Sequence, residues 1–115
     1  MNIDDLAGRL RAFARERDWE QFHAPKNLAM ALAVEAAELM EHFQWLTERQ
    51  SAELSPAVKE LVAAELADVF IYTVRLADRL GVGLEPAVEA KILVNAAKYP
   101  VEKSRGNARK YSDLA

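Results

Sequence analysis

Four acidic residues buried in two apolar stretches constrain this chain more than any other feature. Glu35 and Glu38 interrupt Leu28–Leu46 (LAMALAVEAAELMEHFQWL), and Glu65 and Asp68 interrupt Leu61–Leu76 (LVAAELADVFIYTVRL). Each pair has the spacing i, i+3, which on a helix sets both carboxylates on one side, one turn apart. Twenty-six residues separate Glu38 from Glu65, enough for one helix to end, a loop to turn and a second helix to return antiparallel. Four carboxylates then face each other across a helix pair. Like charges that close repel, and hard divalent cations such as Mg²⁺ take oxygen ligands. The pattern predicts a metal site built on two helices.

The apolar surroundings sharpen this expectation. At about 100° per residue, Leu28, Leu32, Leu39, Phe43 and Leu46 share one arc of the first helix. Glu35 falls within that arc, and Glu38 lies about 60° further round. In the second helix Val62, Leu66, Val69, Thr73, Leu76 and Leu80 form the apolar arc, with Glu65, Asp68 and Tyr72 expected at its edge. A carboxylate on a core-facing edge needs partners, because an unpaired buried charge is costly. The plain alternative is a set of salt bridges to Lys or Arg from elsewhere, which explains one acidic pair more easily than two.

The rest of the chain reads as helices with short connections. Ile3, Leu6, Leu10 and Phe13 mark an amphipathic helix over about 3–17. Asp18–His23 is a polar-aromatic link in which Trp19 and Phe22 read as plugs at the end of a bundle and His23 as a polar surface residue. Pro25 suits a first helical turn, so the next helix is placed at about 26–46. Residues 47–55 are polar, with a short irregular turn. Ser55-Pro56 is an N-cap followed by N1, and Gly81 is the C′ residue of a helix from 56 to 80. A fourth helix spans 84–98, and Pro100 ends it near Tyr99. Residues 101–115 form a basic C-terminal tail without an apolar period. The predicted class is all-α: a four-helix bundle forming one domain, 1–115.

Composition narrows the function. An apolar fraction of 51% over 115 residues supports a core, and a net charge of −3 gives no nucleic-acid-binding surface. Cysteine is absent, which excludes disulfides and thiolate metal sites and suits a reducing cytoplasm. No signal peptide or membrane span is expected, since the N-terminus is acidic and every long apolar stretch carries Glu or Asp. Lys91, Asn95 and Lys98 share one face of the fourth helix, followed by Tyr99 and the basic tail with Lys110. Cations opposite a metal-loaded acidic cluster form the two halves of a polyphosphate site; without the acids they would read as a solvated face.

These residues resemble a known family. Glu35-x-x-Glu38, a gap, then Glu65-x-x-Asp68 is similar to the signature of the all-α nucleoside triphosphate pyrophosphohydrolases, the MazG-like proteins. QFHAPKNL (21–28), VEAAELMEHFQW (34–45), ELADVFIY (65–72), KILVNAAKYP (91–100) and ARKYSDL (108–114) resemble the dCTP pyrophosphatase branch, over about residues 18–114. Lys98 stands where some relatives carry Arg, and Ala96 and Ala97 where certain relatives are basic, which bears on binding strength rather than on the reaction. The resemblance implies Mg²⁺-dependent hydrolysis of dCTP or a modified dCTP to the monophosphate and pyrophosphate, in a cytoplasmic homotetramer (a dimer of dimers) that cleanses the nucleotide pool. The apolar all-round character of 28–46 independently suggests contact with another subunit.

The expected roles follow. Glu35, Glu38, Glu65 and Asp68 hold Mg²⁺, and a carboxylate of the Glu35/Glu38 pair is the general base, with Glu38 favoured. Lys91, Lys98 and Lys110 offset phosphate charge; Asn95 and Tyr72 bond the sugar or a phosphate, with Tyr99 beside them. Trp19, His23 and Trp45 form a base pocket, where aromatic faces stack on a nucleobase. Two alternatives from other classes stay open: a non-enzymatic helical interaction module, and a di-iron carboxylate bundle. The second needs Glu-x-x-His pairs, and neither pair here has His at the fourth position.

Overall fold

A computed structural model describes residues 1–114. Six α-helices follow one another: α1 (Ile3–Glu16), α2 (Pro25–Glu41), α3 (Glu48–Ala52), α4 (Pro56–Leu80), α5 (Leu84–Lys98) and α6 (Val101–Ser104). Single 3-10 turns lie at Glu20–Phe22 and Tyr111–Asp113, and no strand occurs among the described residues. The all-α class therefore holds. The four long helices are those expected, and α3 and α6 are short additions within segments read as a polar connection and a tail.

Local signals set the boundaries. Asn2 caps α1 by accepting from the backbone of Asp4 at 2.7 Å and Asp5 at 3.2 Å. Ser55 caps α4 by accepting from Val58 at 3.3 Å, with Pro56 at N1 as expected. Gly81, at φ 69°, closes α4, and the Val82 N–H reaches back to the Ala77 carbonyl at 2.8 Å. One boundary differs from the sequence expectation. Helix α2 stops at Glu41 rather than near 46, because residues 42–46 tighten into turns and Thr47 must be extended to cap α3. Thr47 and Gln50 form a reciprocal capping box, at 3.1 and 3.0 Å, which fixes that change of direction.

The chain divides into two compact units, Met1–Val82 and Gly83–Ala115. In the first, α4 packs against α2 most extensively and also against α1. Leu6 and Ala14 of α1, Leu28 of α2, and Val62, Val74 and Ala77 of α4 are its buried apolar residues. Helix α2 faces inward along Leu28, Ala31, Leu32, Glu35, Glu38 and Leu39, a 3.6-residue stripe. The inward stripe of α4 runs through Val58, Val62, Glu65, Asp68, Val69, Tyr72, Thr73 and Leu76. Leu66 and Leu80, assigned to the apolar arc from sequence, are instead more than half exposed. Glu65 and Asp68 thus lie in the buried stripe rather than at its edge. In the second unit α5 buries none of its residues fully, and Val88, Ile92 and Leu93 are exposed.

Candidate active site

The acids come together where α2 and α4 pack. One carboxylate oxygen from each of Glu35, Glu38 and Glu65 lies within 4.8 Å of the others. Glu35 Oε2 and Glu65 Oε2 are buried and have no hydrogen-bond donor. Asp68, one turn after Glu65, is near enough for its charge to act on Glu35. The closeness of the Glu65 carboxylate, then burial, then the closeness and charge of Glu38 push the Glu35 carboxyl up to about 7. Among the described residues no Lys or Arg pairs with the cluster, so the salt-bridge alternative is not what the first unit builds. Orphaned buried carboxylate oxygens from two helices, in an all-oxygen donor set, fit a hard divalent cation such as Mg²⁺.

A cavity of about 280 Å³ opens beside Asp68 in the same unit. Leu10, Phe13 and Ile71 give it apolar walls; Trp19, His23, Tyr72 and Arg75 also line it. The loop that brings Trp19 there depends on Asp18. Helix α1 ends with Asp18 in the left-handed region at φ 54°, which Asp adopts more readily than most residues. The Trp19 N–H then bonds the Ala14 carbonyl at 2.9 Å, and the Asp18 N–H bonds Arg15 at 3.1 Å. Trp19 is turned back onto Phe13, edge to face at 5.8 Å, and stands 6.2 Å from the His23 ring. It is 43% exposed, so it walls the cavity rather than plugging a core.

His23 is tied into the fold from two sides. Its Nδ1 accepts from Arg75 Nε at 3.2 Å, and its carbonyl accepts from Arg79 Nε at 3.1 Å. Burial, then the charges of Arg75 and Arg79, hold the imidazole below its usual range. His23 thus lines the cavity beside Trp19, where the plainer of its two sequence readings had set it at the surface. Behind it, Arg75 Nη1 donates to Asp78 Oδ2 at 3.2 Å, and Asp78 takes a two-pronged bond from Arg11 at 2.6 and 3.0 Å. Nothing in a one-dimensional reading marked Arg75. Its signal, an Arg one turn after the inward Tyr72 and in register with the acids, is visible only once the buried stripe of α4 is known.

The remaining expected residues fall elsewhere. Trp45 is 87% exposed, in the turns after α2, and does not line the cavity. Lys91, Asn95, Lys98, Tyr99 and Lys110 all belong to the second unit. There Lys98 Nζ sits 4.6 Å above the Tyr111 ring, and Tyr99 meets the same ring edge-on at 6.5 Å. Lys91 and Asn95 are exposed on α5.

An all-helical chain with an orphaned carboxylate cluster on paired helices defines a narrow class of proteins. Residues 30–114 match the model of the MazG-like family, and the chain belongs to that family. It is 46% identical to mouse dCTP pyrophosphatase 1 over 97% of this chain and 67% of that protein. It is 43% identical to the human dCTP pyrophosphatase 1, with the same coverage. A crystal structure of a pyrophosphatase from Archaeoglobus fulgidus superposes with a TM-score of 0.79 at 39% identity, covering 84% of this chain and 91% of that one.

Proposed function

We propose that this chain hydrolyses dCTP, or a base-modified dCTP, to the monophosphate and pyrophosphate with Mg²⁺ as the metal. It is a nucleoside triphosphate diphosphatase, as its relationship to the dCTP pyrophosphatases indicates. The observation that carries the finer reading is the juxtaposition of two features in one unit. A carboxylate cluster with orphaned oxygens and an aromatic-lined cavity are linked by Asp68, which lines the cavity and whose charge acts on Glu35 of the cluster.

Glu35, Glu38, Glu65 and Asp68 would hold Mg²⁺. When bound, that ion supplies Lewis-acid stabilisation of phosphate charge and makes water more acidic. Water attacks the α-phosphorus; the bond from that phosphorus to the αβ-bridging oxygen breaks, and the bridging oxygen leaves on pyrophosphate. A carboxylate of the Glu35/Glu38 pair accepts the proton, with Glu38 our candidate. Lys91, Lys98 and Lys110 offset charge on the phosphates, and Asn95, Tyr72 and Tyr99 position the sugar or a phosphate. Trp19 and His23, which line the cavity, hold the base.

Assembly into a homotetramer belongs to the same reading. Met30, Val34 and Met40 of α2 and Ile92 and Leu93 of α5 are each more than half exposed. Exposed apolar residues on each unit support the proposed assembly. Sedimentation equilibrium at micromolar concentration should give a mass several times 12.9 kDa, and a clean monomer mass would sink the assembly. No helix among the described residues is long and apolar enough to cross a membrane, and a cytoplasmic location is proposed to go with pool cleansing. The activity is tested by incubating the protein with ordinary and modified nucleoside triphosphates, with and without Mg²⁺, and quantifying monophosphate and pyrophosphate. Metal-dependent release of both from dCTP is expected; release of orthophosphate, or none at all, would overturn the proposal.

A further inference from the structure

We propose that Arg75 is a positioning residue for the base wall: by donating its Nε–H to His23 Nδ1 it fixes the imidazole as the Nε2–H tautomer, so that His23 meets the nucleobase as a hydrogen-bond donor. This rests on the nucleotide reading above and adds to it the polar group that the wall presents and the residue that sets it.

Arg75 is 3% exposed and acts through what it touches. Its Nε–H donates to His23 Nδ1 at 3.2 Å. Such a bond can be received only by a ring nitrogen that carries no proton, so the one proton of the neutral ring stands on Nε2. A histidine without such a partner exchanges between its two tautomers; the bond made by one nitrogen decides the state of the other.

The ring is held in place as well as in tautomer. Arg79, one turn after Arg75 on α4, donates to the His23 carbonyl at 3.1 Å. Helix α4 thus grips this residue at its ring and at its backbone. Asp78 accepts from Arg75 Nη1 at 3.2 Å and from Arg11, which aims the guanidinium. Burial, then the charges of Arg75 and Arg79, oppose a second proton on the ring, while Glu20 on the neighbouring turn acts the other way.

The free nitrogen of the ring is one a ligand can reach. His23 Nε2 makes no hydrogen bond among the described residues, and it is not one of the buried atoms left without a partner. It is therefore accessible, on a side chain that lines the cavity beside Trp19. Arg75 Nη2, by contrast, is closed off. A fixed donor beside an aromatic face favours a ring that brings an acceptor atom, and disfavours one that brings a second donor there, because an unmatched polar group is costly in a closed site.

Two substitutions separate the donor from everything else that Arg75 does. Arg75→Gln places an amide N–H at the same distance along the side chain as Nε, and Arg75→Met places none. Both remove the ion pair with Asp78, so both should lose similar stability. Labelling with ¹⁵N-histidine marks only His23 and His42, and long-range ¹H–¹⁵N spectra report which ring nitrogen carries the proton. In wild type and Arg75→Gln, His23 should be the Nε2–H tautomer, and saturating metal-free deoxycytidine should move its Nε2 resonance. In Arg75→Met the two tautomers should mix; KM for dCTP should rise about tenfold, the scale of one hydrogen bond, and kcat should change by less than about twofold. Arg75→Gln should hold KM within about threefold of wild type. Equal KM values in the two variants, or a raised KM in Arg75→Met without a change of tautomer, would mean that Arg75 only packs, and would overturn the proposal. If neither variant folds, wild type decides: an Nδ1–H tautomer, or an Nε2 resonance that deoxycytidine leaves unmoved, overturns it. The two readings fail separately. His23 fixed as proposed in a protein that hydrolyses no triphosphate sinks the activity alone; hydrolysis of dCTP with His23 in the other tautomer sinks only this inference.

Discussion

Two charged clusters share α4, their α4 members ten residues apart, and they are built on opposite rules. Glu35, Glu38 and Glu65, with Asp68 nearby, gather charges of one sign and leave two buried oxygens without donors. Arg11, Asp78 and Arg75 gather charges of both signs and pair them at 2.6 to 3.2 Å. The second cluster is nearly complete and ties α1 to α4. The first leaves its charge unmatched by any cationic side chain among the described residues, which supports the divalent ion proposed for it.

The sharpest way to break this contrast is at the acids. Glu38→Gln and Asp68→Asn each keep shape and remove a charge, so turnover should fall by about 10²-fold or more, as when one preorganised catalytic group is lost. Helical circular dichroism should stay unchanged. Near-wild-type turnover of both variants at limiting Mg²⁺ would show that the cluster is not a catalytic metal site.

The arginine cluster should respond in stability instead. Asp78→Ala strands Arg75, which is nearly fully buried, and should cost about 3 kcal/mol by urea denaturation, as expected when a buried pair loses one member. Arg11→Ala, at an exposed position, should cost less. The hydrogen bond from Arg11, with the charges of Arg11, Arg75 and Arg79, holds the Asp78 carboxyl below its ordinary range despite burial. Its contribution is therefore complete above the usual carboxylate range and is lost as pH falls through the folded value. Asp78→Asn should flatten that acid limb of the stability curve.

A smaller effect tests the repulsion among the acids. The Glu35 carboxyl is raised to about 7, so its ionised form is disfavoured in the folded, metal-free protein. Metal-free stability should therefore decline as pH rises from the ordinary carboxylate range through 7. Glu35→Gln should raise the melting temperature at pH 8 and have little effect at pH 5, whereas Mg²⁺ at pH 8 should stabilise only the wild type. Equal response of both proteins to Mg²⁺ would place the ion elsewhere.

The smallest expected change in stability is at Trp45. At 87% exposure its loss should alter stability by under about 0.5 kcal/mol. A rise in KM for dCTP at constant melting temperature would then report contact with substrate. Early melting with normal kcat/KM in the surviving molecules would mean that Trp45 is buried in an assembly and only packs there.

The helices, their class and most of their ends were legible in the sequence because they depend on neighbours a few residues apart. Ser55-Pro56, Gly81 and the 3.6-residue recurrence of apolar positions are local instructions, and α4 and α5 follow them to the residue. The approach of Glu35 and Glu38 to Glu65 was legible too, since the spacing of the acids and the intervening length leave few other ways for two apolar helices to pack. The tertiary structure decided what is not local. It rotated α4 so that Leu66 turned out and Glu65 turned in, a choice of tens of degrees that depends on what packs opposite. It folded Asp18 into a left-handed turn, carrying Trp19 onto Phe13, and it left Trp45 outside the cavity. Asp78 is the i+3 neighbour of Arg75 on α4, but Arg11 and His23 reach this cluster from other segments that only packing brings there. Period, capping and the Arg75–Asp78 pair are set by steps of three and four residues, whereas the contacts of Arg11 and His23 are set by chain segments that pass each other in space, and no spacing along the chain encodes that.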